Sequence, residues 1–238
     1  MKKVLLSVTA AVALSGVAMA GGDIAPVAPA PADSWSGFYV GAQFGYVMGD
    51  TDVDVTFGPL LLQSKGMDLN GATEGLFAGY NWKFENDWLV GLEAGMNFMS
   101  QNDSSRLYRT SGAPTPLAIE VKQDWEASIV ARVGKVIDDT YLPYLLGGAT
   151  WTKLESRYVG SVAPSGFAKW KNDTVSGFTL GAGIEAKITE NFHARLEYRY
   201  NNYGDAHTKH SRTAPPLNTD ESIDYNSNVV TVGFIYRF

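Results

Sequence analysis

The chain has 238 residues, with 19 basic and 25 acidic side chains, a formal net charge of −6 and no cysteine. The missing cysteine excludes a disulfide scaffold, a thiolate zinc site, a catalytic thiol and a lipidated cysteine. Charged residues make up only 18%, while Gly (25), Tyr (12) and Phe (11) are plentiful, so no concentrated basic face exists for nucleic acid and disorder is not expected.

Lys2 and Lys3 precede an almost continuous apolar stretch, Val4 to Val17, and Ala18-Met19-Ala20 has the small-x-small form that a signal peptidase accepts. Residues 1–20 are therefore expected to be a signal peptide. The alternative, a membrane anchor, would require this short stretch to span about 30 Å of hydrocarbon. Residues 21–34 follow, with Pro26, Pro29 and Pro31 alternating with Ala and Val without an amphipathic period, and read as an extended Pro/Ala-rich periplasmic tail. No later apolar run approaches the roughly 20 residues of a spanning helix. The remainder either is soluble or crosses a membrane as strands.

Its period is two. Phe38, Val40, Ala42, Phe44, Tyr46 and Met48 alternate with Gly41, Gln43 and Gly45, which specifies a strand with one apolar face. Leu76, Ala78, Tyr80 and Trp82 repeat the pattern against Gly75, Gly79 and Asn81, with Phe77 as the exception. Trp88, Val90, Leu92, Ala94, Met96 and Phe98 oppose Gly91, Glu93, Gly95 and Asn97. Trp125 to Val133 sets Ile129 and Ala131 against Glu126, Ser128 and Arg132. Tyr141 to Leu154 is apolar on both faces, and Leu145, Ala149 and Trp151 are placed outward. Phe178 to Ile188 opposes Glu185 and Lys187, Phe192 to Tyr200 opposes His193, Arg195, Glu197 and Arg199, and Val230 to Phe238 opposes Thr231, Gly233 and Arg237.

These eight strands reach the roughly 9–11 residues of a tilted membrane strand. Short connectors at 83–87, 135–140 and 189–191 alternate with polar ones of about twenty residues at 49–68, 101–120, 155–173 and 205–222. An antiparallel barrel with brief turns on one side and long loops on the other requires that alternation. Trp82, Trp88, Trp125, Trp151, Phe192 and Phe238 lie near strand ends on the outward set, where interfacial girdles belong. The reading is an all-β, eight-stranded antiparallel up-and-down transmembrane β-barrel over residues 35–238.

Trp35-Ser36-Gly37-Phe38-Tyr39-Val40-Gly41, Ala78-Gly79-Tyr80-Asn81-Trp82, Gly181-Ala182-Gly183-Ile184-Glu185, Glu197-Tyr198-Arg199-Tyr200 and Tyr236-Arg237-Phe238 together resemble the small outer-membrane β-barrel family. Opacity proteins, the OmpA transmembrane domain and alphaproteobacterial major outer-membrane proteins belong to it. The resemblance implies export to the outer membrane of a Gram-negative bacterium and contact with its lipid and lipopolysaccharide. It also implies that Phe238 is the signal read by the barrel assembly machinery. Unlike full-length OmpA the chain shows no peptidoglycan-binding domain after the eighth strand, so firm cell-wall tethering is not expected.

Inward positions carry Glu93, Glu185 and Glu197 with Arg132, Lys187, Arg195, Arg199 and Arg237. An ion or substrate path is one reading. A structural plug built by Glu93, Arg132, Glu185, Glu197, Arg199 and Arg237 is preferred, because eight strands leave room only for side chains and buried carboxylates and guanidiniums satisfy one another. His193 reads as a lumen residue, and His207 and His210 as polar loop residues, metal or haem binding being the alternative reading. No catalytic, cofactor or metal residue is assigned, and the chain is not expected to be an enzyme. The expected role is structural, with four long loops presenting a face to host or environmental surface ligands. A small-solute or haem-binding channel and a lipid-modifying enzyme are the alternatives.

The connector alternation fixes a sidedness that labelling can read. Cysteines at Ser104, Ser165 or Thr213 should react with an impermeant maleimide in intact cells, and cysteines at Asn86 or Asn191 should not. The opposite pattern would invert the barrel.

Overall fold

A computed structural model of the chain describes residues 34–57, 60–64, 67–109, 114–160, 171–208 and 219–238, all within the compact unit Asp33–Phe238. The expected signal peptide, the tail as far as Asp33 and His210 lie outside the described residues, as does the side chain of His207.

The strands among the described residues are β1 (Gly37–Phe57), β2 (Leu60–Ser64), β3 (Met67–Asp68), β4 (Gly71–Lys83), β5 (Trp88–Arg109), β6 (Pro114–Lys135), β7 (Tyr141–Gly160), β8 (Lys171–Lys187), β9 (Phe192–Thr208) and β10 (Thr219–Arg237). Eight of them, β1 and β4 to β10, form one closed antiparallel barrel. β4 joins β1 to β5, each later strand pairs with its predecessor, and β10 returns to β1 from Tyr39↔Arg237 to Phe57↔Thr219. β2 and β3 occupy the connection from β1 to β4, where β2 pairs with both β1 and β5. Closure leaves the eight-stranded ladder without a free edge, so its backbone donors and acceptors are met by neighbouring strands and not by water.

The alternation read from the sequence is the alternation of the wall. Phe38, Leu76, Leu145 and Phe238 are all more than 60% exposed, while Tyr39, Glu93, Arg132, Glu185 and Arg237 are buried. Soluble monomers rarely expose so continuous an apolar skin, which marks a membrane surface. Phe77 and Ile235, which interrupt the period, turn inward and pack with Tyr39.

The short turns use aspartates in the left-handed region. Asp138 and Asp139 have φ of 52° and 48°, and Thr140 N–H closes the turn on the Ile137 carbonyl at 3.0 Å. Two successive positive φ values make a primed turn, whose twist matches that of the hairpin it closes.

The long connectors differ from the sequence expectation. β1 continues to Phe57, β5 to Arg109, β7 to Gly160 and β9 to Thr208, so much of each expected loop is strand. The reason is that polarity marks where the apolar skin stops, whereas the backbone ladder continues wherever a neighbour extends beside it.

Two glycines position tyrosines. Tyr39 is directly opposite Gly79 and Tyr144 opposite Gly183, and a Cβ on either glycine would come within 2.4–2.5 Å of the facing phenol. The missing side chains let both rings lie across the inner wall. Gly183→Val should therefore displace Tyr144 and lower stability by about 1–3 kcal/mol, the usual range for overpacking. Ala182→Val, one residue away on the outer face, should change little. Urea unfolding in detergent, followed by gel mobility with and without heating, checks both.

Candidate functional site

The interior is occupied by a belt of charges drawn from five strands. Glu93 on β5 accepts hydrogen bonds from Arg195 (2.7 Å), Arg199 (3.0 Å), Arg132 (3.4 Å) and the Tyr39 hydroxyl (2.9 Å). Glu185 on β8 accepts from Arg132 (2.8 Å) and from Arg237 Nη2 (2.6 Å), with His193 Nδ1 at 2.9 Å. Glu197 on β9 accepts from Arg199 (2.6 Å) and the Tyr144 hydroxyl (2.6 Å). Arg132 thus bridges two carboxylates. Its guanidinium also lies 4.5 Å from the Tyr144 ring centroid, while that of Arg195 lies 3.6 Å from Phe77, favourable placements for a cation over a ring face.

Beyond the belt, toward the long connectors, Glu126 is buried and held by neutral donors. Tyr203 donates at 2.6 Å, Asn201 at 3.1 Å and Asn97 at 3.4 Å. The belt sets the guanidiniums of Arg132, Arg195, Arg199 and Arg237 against the carboxyls of Glu93, Glu185 and Glu197. Glu126 is a fourth buried carboxyl, set apart from the guanidiniums of the belt.

Both ends are packed. At the short-turn end Trp35 is buried with Leu89, Val130, Val136, Leu142, Tyr144 and Leu146. Its indole N–H donates to Asp139 (3.0 Å), its carbonyl accepts from Arg237 (3.1 Å), and its ring meets His193 edge-on at 4.7 Å. Lys187 hydrogen-bonds Asp139 and so holds the Asp139 carboxyl below the usual aspartate range. At the other end Tyr203 and Tyr225 stack at 5.2 Å, Tyr225 donates to Gln123 (2.7 Å), and Val47, Met99 and Val229 form an apolar cluster.

The structure brings Glu93, Arg132, Glu185, Glu197, Arg199 and Arg237 together as one network. Arg195 joins it at the centre. Lys187, read as a lumen charge, instead sits at the short-turn end with Asp139, because its long stem reaches past the last rung of β8. Sequence reasoning did not identify Trp35, Tyr39, Tyr144 or Glu126 as partners. Tyr39 and Glu126 were legible as inward by parity, but the distance a phenol spans across the lumen was not. Phe238 lies outside the lumen, exposed, stacked edge-on against Tyr236. Among the described residues no group of His, Asp and Glu could hold a metal ion.

Comparison with known proteins gives the arrangement a lineage. A family model described as the outer membrane protein beta-barrel domain matches residues 9–238. The 25 kDa outer-membrane immunogenic protein of Brucella ovis is 33% identical over 181 residues, covering 76% of this chain and 75% of that protein. The 31 kDa outer-membrane immunogenic protein of Brucella melitensis is 29% identical over 251 residues, covering the whole of both. Among solved structures, the outer membrane protease OmpT from Escherichia coli superposes with a TM-score of 0.53 at 10% identity, over 85% of this chain and 97% of that one. That likeness concerns the fold alone.

Arg132 tests whether the belt carries stability. Arg132→Ala leaves Glu93 and Glu185 short of a buried cation and should cost about 3–5 kcal/mol, the usual penalty for breaking one side of a buried pair. A combined Arg132→Met and Glu185→Gln variant should recover part of that loss. Denaturant midpoints in detergent micelles provide the measurement, and an unchanged midpoint for Arg132→Ala would place Arg132 in water.

Proposed function

The chain belongs to the outer membrane protein β-barrel family and is an outer-membrane protein of a Gram-negative bacterium; from that premise we propose that it is a structural, non-conducting barrel whose long-connector side faces outward as a surface for contact. The observation that carries this reading is the filled lumen. Its charges are buried and mutually hydrogen-bonded, and both ends are closed by packed side chains. A conducting pore needs water around its charges, and ions crossing this belt would have to displace carboxylate–guanidinium bonds that are costly to break once buried.

In this reading residues 1–20 direct export and are removed, residues 21–34 remain as a periplasmic tail, and Trp35 stoppers the periplasmic mouth. The charge network is structural. Lipid and lipopolysaccharide surround the apolar wall, and host or environmental ligands meet the outward loops. The Brucella relatives are outer-membrane immunogenic proteins, which supports surface presentation here. Phe238 contributes the assembly signal, supported by its exposed position in the aromatic row of Phe192, Tyr236 and Phe238. The chain acts without catalysis.

Planar bilayers test the closed lumen. The wild-type protein should give no steady conductance, and Trp35→Ala should add only brief openings; a steady wild-type current would overturn the proposal in favour of a solute channel. Separately, Phe238→Asp should lower the amount of heat-modifiable protein in the outer membrane and raise periplasmic degradation. Normal levels of that variant would remove the assembly role.

A further inference from the structure

The closed ladder ends at different heights around the barrel, and at one seam both strands outlast it. β8 and β9 pair from Lys187↔His193 to Phe178↔Asn202 and make no further pair with each other, although β8 continues to Lys171 and β9 to Thr208. Each keeps its other neighbour, β8 pairing with β7 up to Ser156↔Lys171 and β9 with β10 up to Thr208↔Glu221. The separation has a local cause. Tyr203 and Gly204 of β9 stand against the single residue Tyr225 of β10, Gly204 has a φ of 59°, and its N–H donates to Asn202 Oδ1 at 3.1 Å. A bulge of this kind bends its own strand and sharpens its twist, and beyond it β9 makes no pair with β8. Gly177 marks the last close approach, because a Cβ there would lie 2.1 Å from the Asn202 carbonyl oxygen.

We propose that the edge of β8 over residues 171–177, unpaired among the described residues, takes up an extended basic segment of a partner protein as an added strand. This deepens the proposed surface role and rests on the long connectors facing outward. The backbone determines which groups are offered. Ile188 N–H donates to the Phe192 carbonyl of β9 at 2.9 Å, and Lys187 N–H donates to the Thr140 carbonyl on the β7 side at 2.8 Å. Successive residues of a strand turn their backbone groups to opposite neighbours, and β8 runs without a register shift against either β7 or β9. Even-numbered residues of β8 therefore address β9 and odd-numbered ones address β7. Past Phe178, the N–H and C=O groups of Asn172, Thr174 and Ser176 face the open seam. Ser176 is level with Trp151 in the aromatic band, so these groups stand at and beyond the membrane interface.

The two edges of the seam are not equally receptive. Bulges and prolines blunt a strand edge against further pairing, and the β9 edge carries the bulge. Residues 171–177 contain no proline and no bulge, and Thr174 and Ser176 are exposed. Such an edge is a template for an extended chain, whose main chain supplies the hydrogen bonds whatever its side chains are. Its other side is already held by β7, so β8 needs no rearrangement to accept a strand.

Charge selects the occupant. A strand added to β8 in the seam lies next to β9, and the extensions of β9, β10 and β1 that follow it are acidic. Residues 203–208, 219–228 and 50–57 include Asp205, Asp220, Glu221, Asp224, Asp50, Asp52 and Asp54 and neither lysine nor arginine. The register sets Asp205, Asp224 and Asp52 on one rung across the three strands. Like charges on facing positions disfavour one another, so cations brought by a neighbouring strand relieve a cost that the barrel bears alone. On the other side of the seam β8 itself carries Lys171 and Asp173, and the β7 cations Lys153 and Arg157 are engaged by Glu155, Asp124 and Glu120. The field across the seam is therefore negative, and it attracts lysine- or arginine-rich chains and repels acidic ones.

The test uses the full chain folded in detergent micelles and three synthetic peptides of equal length: alternating lysine and threonine, alternating glutamate and threonine, and alternating lysine and proline. Fluorescence anisotropy reads binding, and amide hydrogen exchange reads where it occurs. The lysine–threonine peptide should bind and slow exchange at Asn172, Thr174 and Ser176, while the amides of Asp173 and Val175, bonded to β7, should not change. Thr174→Pro/Ser176→Pro removes two seam donors and leaves the β7 ladder intact, and it should weaken binding about tenfold. If that variant does not fold, Ser176→Pro alone should give a partial loss, and Asp205→Asn/Asp224→Asn should weaken binding and flatten its salt dependence. Equal binding of the glutamate or the proline peptide, undiminished binding by the folded proline variant, or slow exchange at Asn172, Thr174 and Ser176 before any peptide is added would each overturn the proposal. Sidedness has no influence in micelles, so failure here leaves the outward orientation standing, and maleimide labelling of the loops tests that orientation by itself.

Discussion

The return of β10 to β1 is the constraint on which the rest depends. Once the pairing from Tyr39↔Arg237 to Phe57↔Thr219 is made, the eight-stranded ladder has no free edge and the wall can sit in hydrocarbon with its backbone satisfied. Closure at eight strands also fixes the interior width, leaving space for side chains and little else. An inward residue must then meet its counterpart across the lumen. Polar groups there have to find each other, because no solvent column is available to receive them.

The belt is the solution this chain adopts. Three carboxylates and four guanidiniums would be hard to bury one at a time, yet each carboxylate accepts at least two hydrogen bonds from residues on other strands or from its own strand neighbour. Arg132 and Arg199 each reach two carboxylates, so the staves β5, β6, β8 and β9 are tied through the middle as well as along their edges. Tyr39 and Tyr144 complete the acceptors, and they can do so because glycines face them. The glycine content and the charge pattern are therefore two sides of one packing requirement.

The outside of the barrel obeys different physics from the inside. Along the wall, side chains face lipid and need only be apolar, which accounts for the strict alternation in β5 and β10. Near the ends, tryptophans and then charges replace aliphatics as the surroundings become wet. Among the described side chains, β6–β7 passes from Trp125 and Trp151 to a paired ionic row, and β9–β10 carries tyrosine–asparagine pairs.

The sequence by itself determined the strand count of the barrel, the short turns, the face of nearly every residue and the inward placement of the seven charges that meet in the belt, because a period of two is a local property and chemical type is written at each position. It also placed the aromatic ends. It did not determine where the strands stop toward the long connectors, since ladder length depends on a neighbour's length and not on polarity. Nor did it reveal that Lys187 leaves the lumen for Asp139, that Trp35 closes one end, or that Tyr39, Tyr144 and Glu126 join the network. Those outcomes depend on which rungs of distant strands come level across the lumen, and only the closed barrel with its register decides that.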